Sequence, residues 1–308
     1  MPTKKGAIRI FSLFGINVYL HWAWFVVAYF LIKYRTHAYS SPIFNVLEYL
    51  SLFLIVLTHE FGHQLACRQV GGKTHDIVLW PLGGVAYVSP PQRPGAQLWS
   101  IAAGPLVNVL LIPILTLLLA LISQFGWREF HPDVWQLVHI IWKINIGLLI
   151  FNLLPVYPLD GGQILRSLLW FPFGRANSLL IASVIGFIGM ALLLGLAALI
   201  FFVEHDAWNG GWLGLIAVFI ALNCWGGLMH ALALAKIAKI PRRESFACPS
   251  CKTAPPLGAL WRCGQCGNAF DTFATNAACP HCGAQYNLTQ CLDCGTRFPI
   301  SEWKLPQN

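Results

Sequence analysis

Charge is what this chain has least of. Only 10% of its 308 residues are Asp, Glu, Lys or Arg, against about 25% in an ordinary soluble domain, while 56% are hydrophobic. A membrane class is therefore the default reading. A cleavable secretory leader is not apparent either. The first apolar run, Ile16 to Ile32, lacks a small-residue cleavage site and is followed by Lys33-Tyr34-Arg35, so it is expected to stay in place as a helix. From Cys248 to Asn308 long apolar runs are missing. That break divides the chain into a membrane domain, residues 1–240, and a tail domain, residues 241–308.

What is present are six apolar runs, each long enough for a bilayer crossing of roughly 20 residues. They lie at about Asn17–Ile32, Phe44–Ala66, Leu98–Ser123, Trp135–Pro155, Leu179–Val203 and Trp212–Ala235. Twelve cations fall on one side of these spans, among them Lys4, Lys5, Arg68, Lys73, Arg166 and Lys236, and only Lys33, Arg35 and Arg128 on the other. The positive-inside rule then places both termini in the cytoplasm. Lys143, inside the fourth span, is expected to snorkel to the outer surface. Asp76 through Val88 reads as two short β-rich runs around a Pro/Gly turn. Pro105, Pro113, Pro155 and Pro158 would distort or end helices. Irregular backbone of that kind is tolerated at membrane depth only beside protein or a water-filled cavity.

Within the second span stands His59-Glu60-Phe61-Gly62-His63. Histidines four apart on a helix share a face and can share one zinc ion, with Glu60 beside them. These polar residues interrupt an apolar stretch at membrane depth, where an ionisable group is costly and calls for a function. A hydrolytic zinc takes three protein ligands and keeps one position open for water. Asp160 is the best third candidate, because the orientation puts it at the cytoplasmic depth of His63 and prolines and glycines flank it. Cys67 lies about 12 Å from His59 along the helix, too far to share an ion. Cys67 and Cys224 are expected to be packing thiols, and His139 and His230 to be packing histidines.

These residues resemble the site-2 protease family of intramembrane zinc metalloproteases, over about residues 15 to 235. The resemblance rests on His59 through His63 and on Asn152-Leu153-Leu154-Pro155-Val156-Tyr157-Pro158-Leu159-Asp160-Gly161, with Ala103-Gly104-Pro105-Leu106-Val107-Asn108 as a weaker match. It implies an all-α polytopic membrane domain of about six transmembrane helices with a membrane-associated β-hairpin. It implies His59, His63 and Asp160 as zinc ligands, Glu60 as catalytic base and Asn152 as a substrate contact near the scissile bond. Membrane protein substrates, themselves helices in the lipid bilayer, would unwind and pair with the Ile77–Val88 hairpin. A zinc ion at the site lowers the pKa of a bound water toward about 7, and Glu60 takes its proton. The regulatory CBS and PDZ domains of many relatives have no counterpart here.

In the tail, Cys248/Cys251, Cys263/Cys266, Cys279/Cys282 and Cys291/Cys294 form four C-x-x-C knuckles, spaced for two tetrahedral structural zinc sites. A cytoplasmic tail keeps its thiols reduced, which argues against disulfides, and a domain of about 60 residues needs such staples. Joining first knuckle to second and third to fourth resembles a double zinc ribbon, a small β-rich fold. Joining the second to the third is the alternative that spacing leaves open. The tail carries Lys252, Arg262, Arg297 and Lys304 against Asp271, Asp293 and Glu302. It lacks the basic excess of a nucleic-acid binder and suits a protein partner or a structural cap. The function expected is hydrolysis of peptide bonds within membrane segments. The competing reading is a non-enzymatic zinc carrier, sensor or scaffold that binds membrane helices.

Overall fold

A computed structural model describes residues 6–34, 38–80 and 83–305. Lys4, Lys5, Arg35 and the Pro81-Leu82 turn lie outside the described residues. The chain divides into two compact units, one comprising Met1–Phe171 and Ile181–Trp225, the other Pro172–Leu180 and Gly226–Asn308.

The first unit opens with strands β1 (Ala7–Leu13) and β2 (Ile16–His21), then helix α1 (Ala23–Tyr34) and the long α2 (Pro42–Gln69). Strands β3 (Lys73–Trp80) and β4 (Gly83–Ser89) follow, and the four strands form one sheet in the order β1-β2-β3-β4. The expected hairpin is present: β3 and β4 pair antiparallel, with Val78 opposite Val85. β2 runs parallel to β3, with Asn17 to Leu20 opposite Asp76 to Leu79. That arrangement leaves β4, the second strand of the hairpin, at one edge of the sheet. Ile16, Val18, Ile77 and Leu79 are fully buried and pack with Trp24, Val56 and Leu57, so one face of the sheet lies against α1 and α2.

Among the described residues five helices are long and apolar enough to cross a membrane: Pro42–Gln69, Pro94–Gln124, Pro132–Leu153, Asp160–Phe202 and Asn209–Ala238. The first expected span, Asn17–Ile32, is corrected. Its opening residues belong to β2 and only Ala23–Tyr34 is helical, because the β2 backbone is taken up by partners on both sides. The switch to helix comes at His21, whose Nδ1 accepts from the N–H of Ala23 at 3.2 Å. Strand and helix together still run alongside α2. Asn17 pairs with Asp76, whose carbonyl accepts from Gln64 at 3.3 Å, and the carbonyl of Trp24 accepts from Tyr49 at 3.0 Å. From Gln64 back to Tyr49 is about 22 Å of helix.

Helix α3 (Pro94–Gln124) contains Pro105 and Pro113, the single turn α4 (Trp127–Phe130) leads into α5 (Pro132–Leu153), and α6 (Asp160–Phe202) begins after the proline-rich turn. α6 is broken at Gly174 (φ 74°, ψ 174°), so the connection expected between the fourth and fifth spans is itself helical. α7 (Ala207–Ala238) completes the helices. On α3, Leu110, Ile114 and Leu117 are about three-fifths exposed, which suits lipid rather than water as their surroundings. Lys143 is likewise exposed on α5.

In the second unit the tail forms two short hairpins, β5 (Trp261–Arg262) with β6 (Ala269–Phe270) and β7 (Thr289–Gln290) with β8 (Arg297–Phe298). A 3-10 turn, Ile300–Trp303, follows. Trp261, Phe270, Phe273 and Trp303 make a small core together with Cys248, Cys263, Cys279, Cys291 and Cys294. Gly267, Gly283 and Gly295 close their knuckle turns at φ of 73°, 73° and 77°, a conformation that favours glycine. Lys252 takes the equivalent place in the first knuckle at φ 60°. Arg242 pairs with Asp293 at 2.7 and 3.1 Å and Arg243 pairs with Asp271, so these two cations are held within the tail unit.

Candidate metal centre

The second half of α2 buries His59, Glu60 and His63. Their helix can approach α3 closely because Gly62 has no side chain: a Cβ there would lie 2.6 Å from the carbonyl oxygen of Ala103 and 2.9 Å from Val107. Small residues are the usual means of close helix approach in membranes. Opposite them stands Gly104, where a Cβ would overlap the ring of His63 and come within 2.8 Å of Nε2 of His59. The weakly matching Ala103–Asn108 segment is therefore the wall of the histidine site.

Each imidazole is fixed through its Nδ1. That of His59 lies 2.6 Å from Oδ1 of Asn108, and that of His63 lies 2.9 Å from the carbonyl oxygen of Ser100. Both partners are acceptors, so each Nδ1 donates and each Nε2 keeps its lone pair. Asn108 is held in turn by Asn145 on α5: the Asn108 amide donates to Oδ1 of Asn145 at 2.8 Å, and the Asn145 amide donates to the Asn108 carbonyl at 2.9 Å. Asn145 and Ser100 were not singled out from the sequence, and Asn108 entered only as the last residue of the weaker Ala103–Asn108 match. Asparagines inside apolar spans were the available signal, since a buried amide at membrane depth needs a partner.

The two Nε2 atoms point to one place. They lie 3.1 Å apart, and Oδ2 of Asp160 lies 3.0 Å from that of His59 and 3.4 Å from that of His63. Zinc bonds of about 2.0–2.2 Å to nitrogen and oxygen put tetrahedral ligand atoms about 3.3 Å apart. The donor set and its spacing fit a zinc ion held by three protein ligands. Glu60 is buried one residue after His59. Asn152 is half-buried near the end of α5. His139 is instead packed between Trp135 and Trp142, with ring centroids at 4.7 and 6.3 Å.

Asp160 is delivered by a turn that fits into a notch. The turn includes a cis Tyr157–Pro158 peptide. A Cβ on Gly189 would lie 2.5 Å from Val156, and one on Gly186 would lie 2.9 Å from the carbonyl oxygen of Tyr157 and overlap the sulfur of Cys224. Cys224 itself donates to that carbonyl at 3.0 Å. Gly161 and Gly162 face the backbone of Leu153 and of Val156-Tyr157 with no room for a side chain. The two buried cysteines of the membrane helices, Cys67 and Cys224, have packing positions, as expected.

In the tail, two further sets of donors converge: Cys248, Cys251, Cys291 and Cys294, and Cys263, Cys266, Cys279 and Cys282. Sulfur separations of 3.7 Å (Cys248–Cys294), 3.8 Å (Cys251–Cys291), 3.5 Å (Cys263–Cys282) and 3.7 Å (Cys266–Cys279) match the edge of a tetrahedron with zinc–sulfur bonds of about 2.3 Å, about 3.8 Å. None is a disulfide. The sequential pairing is corrected. The first knuckle joins the fourth and the second joins the third, because the 263–282 loop folds on itself and the chain then returns to its entry point. Backbone N–H of Cys266, with the Tyr286 hydroxyl 3.0 Å away, holds the Cys263 thiol down to about 5, the thiolate form a zinc ligand needs.

Parts of the chain are similar to known proteins. Residues 48–131 and 128–196 match peptidase family M50. A zinc metalloprotease of Methanocaldococcus jannaschii is 32% identical over 58% of this chain and 50% of its own. Stage IV sporulation protein FB of Bacillus subtilis is 31% identical over 56% of each chain. The chain thus spans about half the length of these curated relatives. A solved site-2 protease from M. jannaschii is 29% identical over 72% of this chain and 95% of that chain, with a TM-score of 0.49. Residues 48–196 are thus similar to peptidase family M50, and the chain is an integral membrane protein.

Proposed function

We propose that this protein is an intramembrane zinc endopeptidase that cuts membrane-spanning segments of other proteins. The observation that carries the reading is the convergence of His59, His63 and Asp160 within hydrogen-bonding distance of one another, with Glu60 buried beside them. A zinc ion held by His59, His63 and Asp160 would supply Lewis acidity and lower the pKa of a water. Glu60 would accept a proton from the attacking water and return it to the leaving amine. Asn108 and Ser100 keep the imidazoles in the tautomer that presents Nε2 to the metal. Asn152 contacts the substrate near the scissile bond.

A substrate helix must unwind before it is cut. The outer edge of β4 is the free side of the hairpin, since β3 is already paired to β2, and an extended substrate strand added there regains its backbone hydrogen bonds. The two cysteine sets each hold a structural zinc ion, giving three ions in all, and the ribbon domain docks a protein partner. Both termini lie in the cytoplasm, a reading that takes β2 and α1 together as a first crossing before the five long helices and is supported by the cation asymmetry; Arg242 and Arg243 contribute less to it, being paired within the tail.

A zinc carrier or scaffold needs no general base, and the buried Glu60 favours hydrolysis over it. Co-expression with a panel of single-span membrane substrates tests the choice. Cleavage by the parent and none by Glu60→Gln supports the protease. Zinc retention by both with cleavage by neither supports the carrier or scaffold.

A further inference from the structure

The two cysteine sets of the tail differ in a way that their shared C-x-x-C chemistry does not require. In the outer set Cys248, Cys291 and Cys294 are buried and Cys251 is half-buried. In the inner set Cys266 and Cys282 are exposed, and of all ten cysteines in the chain they are the only exposed ones. The sets also differ in what they hold. The outer one ties the chain's entry at Cys248 to its return at Cys291 and Cys294. Around it the Arg242–Asp293 pair and the bond from Ala247 N–H to the carbonyl of the buried Trp303 close the domain. The inner set closes only the nested 263–282 loop.

We propose that the inner set is an oxidant-modification site, converted by hydroperoxides from a zinc-binding cluster to disulfides, while the outer set keeps the ribbon folded. This rests on the reading of both sets as zinc sites. Zinc-bound sulfur keeps thiolate character, and attack by peroxide follows thiolate character and access. As zinc ligands Cys266 and Cys282 would combine that character with access, being the exposed members of the set. The Cys282 sulfur gives an electron pair to one peroxide oxygen, the O–O bond breaks, and the other oxygen leaves as water after taking a proton, so Cys282 becomes a sulfenic acid. Cys263, whose sulfur is 3.5 Å away, then attacks the Cys282 sulfur. The S–S bond forms as the S–O bond breaks, and the hydroxyl leaves with a proton as a second water. Two thiolates are oxidised by two electrons and one peroxide is reduced to two waters. A second peroxide does the same for Cys266 and Cys279, which lie 3.7 Å apart. With its four donors consumed the inner set releases its metal, and a dithiol reductant with added zinc restores it.

The test treats the full-length zinc-loaded protein in detergent with graded hydrogen peroxide. Released zinc is followed with a chromogenic chelator, and each cysteine is mapped by mass spectrometry after alkylation under unfolding conditions. The expected result is release of a single equivalent of zinc, with loss of alkylation confined to Cys263, Cys266, Cys279 and Cys282 and recovered on reduction. Release from both sets in step, or oxidation of Cys248, Cys251, Cys291 or Cys294 first, overturns the proposal. Untreated protein with fewer than two thiolate-held zinc ions overturns the zinc reading itself, and the proposal with it.

Discussion

Oδ1 of Asn108 lies 2.6 Å from Nδ1 of His59, and this contact between α3 and α2 sets the direction of the other ring nitrogen. Asn108 can be relied on for it because Asn145 holds it at 2.8 and 2.9 Å. The metal centre is thus supported by three helices, with Asp160 arriving on a fourth.

Replacing Asn108 with Ala removes the acceptor that orients His59. Partners of this kind typically contribute about 10–100-fold in metal affinity or activity. Zinc affinity, measured by competition with a chelator of known strength, is expected to fall by about that factor, and Asn145→Ala to fall in the same direction by less. Unchanged affinity in Asn108→Ala would remove the orienting role.

Gly104→Ala places a methyl group against both histidine rings. The expected outcome is loss of zinc from the membrane site with the tail zinc retained, read as metal content per chain, and loss of cleavage with it. Full metal content in the variant would contradict the geometry of the site.

Gly186→Val acts from farther away. It fills the notch that receives Tyr157 and Cys224, and so displaces the turn that delivers Asp160. Overpacking of this kind typically costs about 1–3 kcal/mol. A lowered thermal midpoint together with weaker zinc retention is expected; a lowered midpoint with normal zinc affinity would separate the notch from the metal site.

The nested cysteine pairing is open to cobalt substitution, whose thiolate absorption reports the number of intact four-sulfur sites. Cys251→Ser and Cys291→Ser are expected to lose the same site, and Cys266→Ser and Cys279→Ser the other. A double variant within one set should then lose no more than a single one. Equal losses in Cys251→Ser and Cys263→Ser combined and alone would restore the sequential pairing.

Much of the site was legible because its residues are chemically out of place. His59, Glu60 and His63 in an apolar helix, and Asp160 amid prolines and glycines, are costly unless they work together, and the structure brings the three ligands to one point. The β3–β4 hairpin followed from its own turn signal. The first span was not legible as strand plus helix, because periodicity alone does not separate a short apolar strand from a helix, and the deciding partner of β2 is β3, nearly sixty residues away. The cysteine pairing failed for a related reason: local spacing counts residues between knuckles but carries no record of the chain returning to Cys248. Asn145 lay in an apolar span unremarked, and Asn108 was quoted only within the Ala103–Asn108 match, because a single amide has many possible partners until the helices are packed.

The central claim is that cutting occurs within the membrane by Glu60-assisted hydrolysis. Its most direct measurement uses purified protein in lipid vesicles with a single-span substrate, maps the cut by mass spectrometry, and compares parent, zinc-stripped parent and Glu60→Gln. The account predicts a cut inside the apolar span by the parent, lost on stripping and regained with zinc, and a fall of about 10²-fold or more in Glu60→Gln at full metal content. Cleavage only in the water-exposed flanks, or equal cleavage by Glu60→Gln, would contradict it.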